Sequence, residues 1–415
     1  MNSVQTLIIK IFRKLYLELY KIKYFKQYLI NYIFLPITFH FFSFSPIKKN
    51  LVVFAVHRFN KLPYNMELLY DLCNKNGYIC KLFLMGDIKH IKSNIVRSIK
   101  TFISVFNFIK YYAICTTIFV DNYFPYLYAI KPRKGVNVVQ LWHGCGAFKK
   151  FGYSCINKKF GFSELSLKLF PTHNTYTDVM VSSPTVIPYY AEAFNCKPSI
   201  IKPFGVPRTD WYFNKYNLSS SVLKIKEMFP EIGKRKVLLY APTFRGKTTV
   251  SYFYDIINYN YLSFHLKDKY VFLTKYHPYT IKLSKLESEN TLPENFVYDI
   301  TDKLTIEDAL CASDIVITDY SSLIFEFSLL ERPMIFLAYD LDEYDNDRGF
   351  YLPYRDFVPG PIVKDNDSLF DAILNAYSDE SLEKVKVFRD KFMSSCDGNS
   401  TDRIYKYIFG NKKAV

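Results

Sequence analysis

The chain has 415 residues, more than one hydrophobic core usually organises, so two domains of ordinary size are expected. Hydrophobic residues make up 49% of the sequence and charged residues 22%, a balance that excludes a disordered or fibrous protein. The net charge of +15 favours an anionic partner or surface.

Nearly half of that excess charge lies in the first 50 residues, which hold eight Lys or Arg side chains against Glu18 alone. Apolar residues interleave with these charges over 7–25 in the pattern of a basic amphipathic helix, which binds anionic bilayer surfaces. Residues 27–47 carry no charge and could span a bilayer, but Asn31, two prolines and other polar residues interrupt them. We therefore expect residues 1–47 to be an interfacial membrane-associating segment. A spanning helix and a helix packed on the protein's own body are the alternatives.

The eight cysteines are scattered and form no C-x-x-C pair, which favours buried thiols in a reducing compartment over zinc ligands or disulfides. They are Cys73, Cys80, Cys115, Cys145, Cys155, Cys196, Cys311 and Cys396.

Short apolar runs alternate with helical or loop segments along the first half, as in a parallel α/β sheet. A helix is predicted over 64–76. The predicted strands are Leu51 to Val56, Lys81 to Met85, Thr117 to Val120, Val136 to Leu141 and Asp178 to Ser182.

A Gly and a Pro within 200–210 predict a hinge, after which a second series of strands and helices begins. Two such series predict an α/β protein of two doubly wound domains, 48–203 and 204–390, with the ligand between them at the strand carboxyl ends. Two or three helices are expected near the C-terminus, with Asp367 and Asp379 as N-caps and a final helical unit at 391–415. The predicted strands of the second series are Val237 to Tyr240, Val271 to Lys275, Phe296 to Tyr298, Ile315 to Thr318 and Met334 to Leu337, with helices at Ile306 to Ala312 and Ser322 to Leu330.

His143 follows a predicted strand and precedes Gly144, while Lys149 and Lys150 come six and seven residues later. Histidine suits a general base near neutral pH, and the lysines could neutralise an anion. A hydrogen-bonded structural histidine beside solvated lysines is an equally open interpretation.

In the second half, an apolar strand runs into Thr318-Asp319-Tyr320-Ser321-Ser322 and then directly into a helix. Backbone N–H groups and serine hydroxyls at that position could bind a pyrophosphate. Helix capping alone is the alternative. The turn lacks the glycines of a dinucleotide fingerprint, so an NAD site of that type is not predicted.

Three further basic residues follow strands or turns: Arg208, Arg245 and His277. If they converge on one cleft they favour phosphate binding, although each alone could serve a surface ion pair. The acidic triplet at 345–347 resembles the D-x-D of metal-dependent transferases only weakly. We interpret it as a solvated loop and predict a phosphate contact for Arg348 instead.

Taken in order, these motifs resemble the CDP-glycerol glycerophosphotransferase family, the teichoic acid and capsule polymerases. The similarity extends over about 48–390 and is strongest over 139–363. The matching pieces are Trp142-His143-Gly144 with Lys149-Lys150, Gly205-Val206-Pro207-Arg208, Ala241-Pro242-Thr243-Phe244-Arg245, His277-Pro278, Thr318-Asp319-Tyr320-Ser321-Ser322, and Arg348-Gly349-Phe350-Tyr351 with Val358-Pro359-Gly360-Pro361.

The resemblance implies a GT-B fold, peripheral attachment to the cytoplasmic face of the membrane, and transfer of a polyol phosphate, glycerol phosphate first, from CDP-glycerol or a related CDP-polyol. It implies a lipid-linked or polymer acceptor, CMP release, and neither a metal nor a cofactor. His143 would be the general base, His277 a second catalytic residue, and Gly144, Lys149 and Lys150 the acceptor contacts. The implied donor-binding residues are Arg208, Thr243, Arg245, Lys275, Thr318, Asp319, Ser321, Ser322, Glu326 and Arg348.

Two departures from the family pattern put the polyol in question. Cys145-Gly146 stands where many members have Thr-Pro, and Leu352-Pro353-Tyr354 replaces an acidic Phe-Asp-Tyr. A GT-B glycosyltransferase using a nucleotide sugar is the alternative enzyme. A noncatalytic module binding nucleic acid or anionic lipid is the alternative from another class, but no nucleic-acid fold motif is present and no nucleic-acid partner is expected.

Overall fold

Two six-stranded parallel sheets form the framework of the chain. Their strands are four to six residues long in the centre of each sheet and are almost wholly buried, because apolar runs of that length are covered on both faces by helices. The computed structural model describes residues 24–89, 91–158, 161–247, 250–253, 255–276, 280–282 and 292–410.

The described part of the predicted membrane segment is helical. A π-helical turn over Ile30–Phe34 joins helix α1 (Phe25–Leu29) to helix α2 (Leu35–Phe42). In the described residues, no helix is both long enough and apolar enough to cross a bilayer. The amphipathic pattern predicted for residues 7–25 falls almost entirely outside the described residues.

The first sheet has the order β2-β1-β3-β4-β5-β6. Each neighbouring pair is parallel, and β1 pairs along its whole length with β2, from Leu51 opposite Ile79 to Val56 opposite Leu84. The strands predicted over this half are confirmed, two of them with the same ends. The strands are β1 (Leu51–Val56), β2 (Ile79–Leu84), β3 (Thr117–Val120), β4 (Asn137–Gln140), β5 (Asp178–Met180) and β6 (Ile201–Lys202).

Helices cover both faces of this sheet. Phe54 on β1 is fully buried against one layer and Val53 against the other, which shows why the strand is apolar throughout. Burying a side chain such as Phe54 contributes about 1.5–3 kcal/mol. The helices of this half are α3 (Tyr64–Lys75), α4 (Gly86–Lys89), α5 (Asn94–Ile114), α6 (Glu164–Leu169) and α7 (Ile187–Phe194).

The predicted hinge contains a 3-10 helix, Pro207–Phe213, which precedes α8 (Lys215–Met228). Gly205 has φ 87°, and a Cβ there would lie 2.2 Å from the Ser400 hydroxyl oxygen. Only glycine fits this backbone and this close approach.

The second sheet has the order β12-β10-β7-β13-β14-β15, again all parallel. All five strands predicted here are confirmed to within one residue at each end. The sheet contains β7 (Lys236–Tyr240), β10 (Tyr270–Thr274), β12 (Val297–Asp299), β13 (Ile315–Thr318), β14 (Met334–Leu337) and β15 (Ile362–Val363).

A small third sheet was not predicted. It joins β8 (Arg245–Lys247) antiparallel to β9 (Val250–Phe253), which pairs in parallel with β11 (Thr280–Lys282). The helices of the second half are α9 (Tyr259–Leu266), α10 (Ile306–Ala312), α11 (Leu323–Ser328), α12 (Leu341–Arg348) and α13 (Tyr354–Phe357). The acidic triplet at 345–347 was predicted as a loop, and this was wrong, because it lies within α12.

Three helices end the described chain: α14 (Asn366–Leu374), α15 (Asp379–Phe392) and α16 (Ser400–Phe409). The predicted caps were one or two residues too late. Asp365 forms a capping box at α14 and the Ser378 hydroxyl caps α15, so Asp367 and Asp379 lie in the first turns.

The last helix returns to the first sheet. Ile404 and Tyr405 pack in the same core as β1, and the Tyr407 hydroxyl donates to Asp178 at 2.7 Å. Helix α16 is thus part of the first domain's core, and the linear sequence does not indicate this return of the chain. The predicted boundary at 390 falls inside α15.

The thiols are free, as predicted. Six of the eight cysteines are buried, while Cys80 and Cys196 are half-buried.

Candidate active site

The loop after β4 carries His143, and an unusual backbone holds it in place. Trp142 has φ 55°, in the left-handed region of backbone conformation. For a residue other than glycine this conformation costs about 1–3 kcal/mol. Two hydrogen bonds stabilise this conformation: the Trp142 N–H donates to the Gln140 side chain at 2.8 Å, and the Asn65 amide donates to the Trp142 carbonyl at 2.6 Å. The Trp142 ring also stacks on Phe151, with centroids 5.1 Å apart.

The His143 imidazole is crowded by protein on several sides while part of the residue stays open to solvent. Desolvation by the surrounding protein, followed by the charges of Arg58 and Arg208, lowers the pKa of His143 to about 4. The Asp121 backbone carbonyl accepts a hydrogen bond from the ring and opposes this shift. At neutral pH the imidazole is uncharged and able to accept a proton.

The His143 loop meets the second domain directly. A Cβ built on Gly144 would lie 3.8 Å from the Ser322 hydroxyl oxygen, so Ser322 approaches the backbone beside His143. Arg208 donates to the His143 carbonyl at 2.8 Å and forms an ion pair with Glu326. The two halves of the predicted site are therefore brought together.

Arg208 and Glu326 are both predicted donor-binding residues, yet the structure pairs them with each other. The Glu326 side chain is only 4% exposed, and burial raises its pKa to about 7 although Arg208 opposes the shift. Arg208 also lies 3.6 Å from Glu307. In this geometry the pair positions the His143 loop, and its contact with a donor stays a prediction.

Arg245 is held rigidly at the start of β8, in the small third sheet. Its guanidinium donates twice to the Asp340 carboxylate, at 2.6 and 2.8 Å, and lies 3.0 Å from Asp319. It also lies over the rings of Tyr320 and Tyr344, 4.9 Å from each centroid. The guanidinium also donates to the Thr243 carbonyl at 2.6 Å, so its orientation is fixed by groups of the protein, and its contact with a donor phosphate stays a prediction.

Two predicted donor contacts at the end of β13 make hydrogen bonds within the fold, and their contact with a donor stays a prediction. The Thr318 hydroxyl is fully buried and donates to the Ala241 carbonyl at 2.7 Å. Asp319 accepts from the Thr243 N–H at 2.8 Å, which ties the loop after β7 to the end of β13. The buried Thr243 hydroxyl has no hydrogen-bond partner within the described part of the chain.

In the serine turn, one of the two predicted roles, helix capping, is observed, and pyrophosphate binding stays a prediction. The Ser321 hydroxyl accepts from the Leu323 N–H at 3.4 Å, a weak capping contact. Ser322 makes no capping hydrogen bond and lies beside Gly144. Helix α11 has only six residues, so the prediction of an anion site here depends on the turn and its hydroxyls more than on the helix.

Lys149 and Lys150, predicted acceptor contacts, run beside the segment that follows α12. Lys149 forms a β-bridge with Phe350, and the Lys150 N–H donates to the Gly349 carbonyl at 3.0 Å. Burial, followed by the charge of Arg348, lowers the pKa of Lys149 to about 7. Lys149 and Arg348 thus share one edge of the cleft, although they come from different domains.

The Lys275 side chain is hydrogen-bonded to backbone carbonyls of its own domain. Its ammonium donates to the Thr301 carbonyl at 3.0 Å and to the Leu304 carbonyl at 2.5 Å, so it fixes the loop between β12 and α10. Desolvation lowers its pKa. His277, predicted as catalytic, lies outside the described residues.

Three residues that hold the site were missed by the sequence analysis. Asn65 bridges the Trp142 carbonyl and the Arg208 N–H, Asp121 accepts from His143, and Asp340 binds Arg245. Asp121 acts through its backbone carbonyl, so no side-chain signal in the sequence could have found it. Nothing local marks Asn65 or Asp340. Over the described ranges, no group of three or more His, Cys, Asp or Glu side chains could hold a metal ion.

Comparison with known proteins gives a consistent result. The family model described as "CDP-Glycerol:Poly(glycerophosphate) glycerophosphotransferase" matches residues 37–410. A teichoic acid ribitol-phosphate primase of Bacillus spizizenii W23 is 35% identical over 371 residues, which cover 88% of this chain and 92% of that protein. A teichoic acid glycerol-phosphate primase of the same strain is 31% identical over 293 residues, 70% of this chain and 73% of that protein.

Among solved structures, the wall teichoic acid polymerase TagF superposes with a TM-score of 0.71 at 22% identity, over 96% of this chain and 97% of that one. At this identity the match shows a shared fold, with two parallel-sheet domains.

Proposed function

Because the chain belongs to the CDP-glycerol:poly(glycerophosphate) glycerophosphotransferase family, we propose that it transfers a polyol phosphate from a CDP-polyol to a membrane-linked acceptor in teichoic acid or capsule-type polymer synthesis, on a GT-B scaffold. The observation that carries the proposal is the neutral, solvent-accessible His143 beside Ser322, with the fixed guanidinium of Arg245 at the start of β8 in the second domain.

In this proposal His143 deprotonates the acceptor hydroxyl. The hydroxyl oxygen attacks the phosphorus that bears the polyol, a new P–O bond forms, and the bond to the CMP oxygen breaks. Such transfers are accelerated chiefly by positioning and by neutralising charge on the phosphoryl oxygens. Arg245, Arg348 and Lys149 supply the cations, and Ser321 and Ser322 supply hydroxyl donors.

The polyol is a separate question. The sequence favours glycerol phosphate, and this stays a prediction. Ribitol phosphate is the second candidate, because the ribitol-phosphate primase matches at higher identity and over nearly its whole length. The departures at Cys145-Gly146 and at 352–354 lie near the cleft, where such a difference would be determined.

The direct test offers the full-length enzyme CDP-glycerol, CDP-ribitol and a panel of UDP- and GDP-sugars, with a lipid-linked acceptor. We expect CMP release with one or both CDP-polyols and no UDP or GDP release, and product masses that rise by one polyol phosphate unit. Release of UDP or GDP instead would support the alternative glycosyltransferase and reject the proposal.

We also propose that the protein is peripheral and binds the cytoplasmic membrane face through adjacent helices. Helices α2 and α5 pack side by side, with the rings of Phe42 and Phe106 5.4 Å apart. Both leave large apolar side chains in solvent, and Lys100 and other cations flank them, which suits an anionic bilayer. The exposed apolar side chains are Phe25, Leu29, Ile33, Ile37, Phe41 and Phe44 before β1, and Ile95, Ile99, Phe102, Ile103 and Phe106 on α5.

Replacing Ile99 and Ile103 together by aspartate should release the protein from anionic vesicles in a sedimentation assay. Burying each side chain contributes about 1.5–3 kcal/mol, so the partition coefficient should fall at least about tenfold per residue. Phe264→Asp is the matched control, because Phe264 is 81% exposed but lies on α9 of the other domain. Unchanged vesicle binding of the double variant would show that α5 does not contact the membrane.

A further inference from the structure

A cavity of about 360 Å³ lies between the N-terminal helix and the loop that follows β3. Gln27 and Asn31 line one side, Tyr123 and Tyr126 the other, and Phe170 closes one end. Its volume lies within the range of about 300–1,000 Å³ typical of small-ligand sites. None of these residues belongs to the site described above.

A short stretch of chain after β3 connects the cavity to the proposed catalytic histidine, His143. Asp121 accepts a hydrogen bond from the His143 ring, and Tyr123 lies two residues later. The Tyr123 ring is also 6.2 Å from His173, whose ring is 6.1 Å from Trp142. A ligand bound against Tyr123 would therefore contact the same loop that holds the imidazole of the proposed base.

The opposite side of the cavity is formed by α1 and the π-helical turn after it, which precede α2. This segment is fixed there by Tyr24, just before α1, whose ring is 6.3 Å from Phe170, and by the Tyr32 hydroxyl in the turn, which donates to the Leu169 carbonyl. Phe25 and Leu29 on α1 are exposed. One wall of the cavity thus adjoins exposed apolar side chains, and the other belongs to the loop that begins at Asp121, the backbone partner of His143.

The lining is suited to a hydroxylated, anionic headgroup. Tyrosine rings offer an apolar face for the C–H groups of a sugar or polyol together with a polar hydroxyl. The amides of Gln27 and Asn31 can donate to and accept from hydroxyl groups, and Lys26 supplies a cation for a phosphate. Arg245, a proposed contact of the donor phosphate, belongs to the second domain and does not line this cavity. The donor nucleotide and the acceptor headgroup therefore do not compete for the cavity.

Resting on the proposed function, we propose that this cavity binds the sugar- or polyol-phosphate headgroup of the membrane-linked acceptor and presents its hydroxyl to His143. The variants that test this are Tyr126→Ala, which removes a wall, and Asn31→Trp, which fills the space. Tyr126→Phe keeps the ring and serves as the conservative variant. Tyr216→Ala, at a 79% exposed tyrosine on α8, is the matched control.

The probes are dodecyl glycerophosphate below its micelle concentration and methyl glycerophosphate, titrated calorimetrically into the full-length protein. We expect Tyr126→Ala and Asn31→Trp to weaken both probes by about tenfold or more, while the Kd for CDP-glycerol and vesicle binding stay unchanged. Tyr126→Phe and Tyr216→Ala should bind as the unaltered protein does. Thermal unfolding confirms that each variant is folded.

Equal probe binding by all four variants would overturn the proposal. Loss confined to the dodecyl probe would also overturn it, because the cavity would then hold a lipid chain and not the headgroup. Binding is measured without turnover, so this result is independent of the proposed function. Absence of CMP release from the unaltered enzyme would instead count against that function alone.

Discussion

Replacing His143 by alanine should lower kcat/KM for the CDP-polyol by about 10²–10⁴, the contribution typical of a general base. The reason is geometric as well as chemical: the Gln140 and Asn65 hydrogen bonds hold the Trp142 backbone so that His143 lies in the cleft. Steady-state CMP release measures the loss. The Kd for the CDP-polyol should stay close to that of the unaltered enzyme, because the imidazole is assigned to the acceptor hydroxyl.

The pH profile gives a second readout of the same assignment. Because the pKa of His143 is lowered to about 4, the base is already deprotonated at pH 6, and its protonation should reduce kcat/KM only as the pH approaches that value. His265→Ala, at an exposed histidine on α9, is the matched control and should retain full turnover. Near-normal activity of His143→Ala would reject the mechanism.

Replacing Arg208 by methionine should lower both stability and turnover. It leaves Glu326 buried without its partner, and removing one member of a buried pair costs about 3–5 kcal/mol. It also removes the donor to the His143 carbonyl, which holds the catalytic loop. Urea unfolding measures the first effect, and kcat with saturating substrates measures the second.

The destabilisation should depend on pH in a defined direction. Burial holds the folded-state pKa of Glu326 at about 7 even with Arg208 present, above its ordinary value near 4.5. Without the guanidinium that pKa rises further, so the folded state binds a proton that the unfolded state releases. The stability of Arg208→Met should therefore fall, relative to the unaltered protein, as the pH rises above about 7, where the unaltered folded state loses the Glu326 proton and the variant still holds it.

The double variant Arg208→Met with Glu326→Leu separates the two roles. Removing both charges should restore most of the free energy of unfolding but not kcat, since the His143 carbonyl still lacks its donor. Arg389→Met, which breaks a surface pair with Glu331, should cost less than about 1 kcal/mol and leave kcat unchanged. Recovery of full activity by the double variant would show that Arg208 acts only through stability.

The strands could be predicted because their signal is local. The runs 51–56, 117–120, 315–318 and 334–337 have the predicted ends, since four to six consecutive apolar residues suit only a strand covered on both faces. Edge strands such as β6 and β15, with two residues each, carry no such signal. The small third sheet was missed for the same reason.

The sequence by itself determined the two α/β series and the buried thiols. It also marked His143 and Arg245 as polar residues that follow apolar strands. Each of these features depends on neighbours along the chain. Tertiary structure alone decided which side chains meet. Arg245 binds Asp340 from 95 positions away, Arg208 binds Glu326 although a long stretch of chain separates them, and α16 returns to the first sheet. Burial makes each ion pair specific, since a buried charge needs a partner in space whatever its distance in sequence.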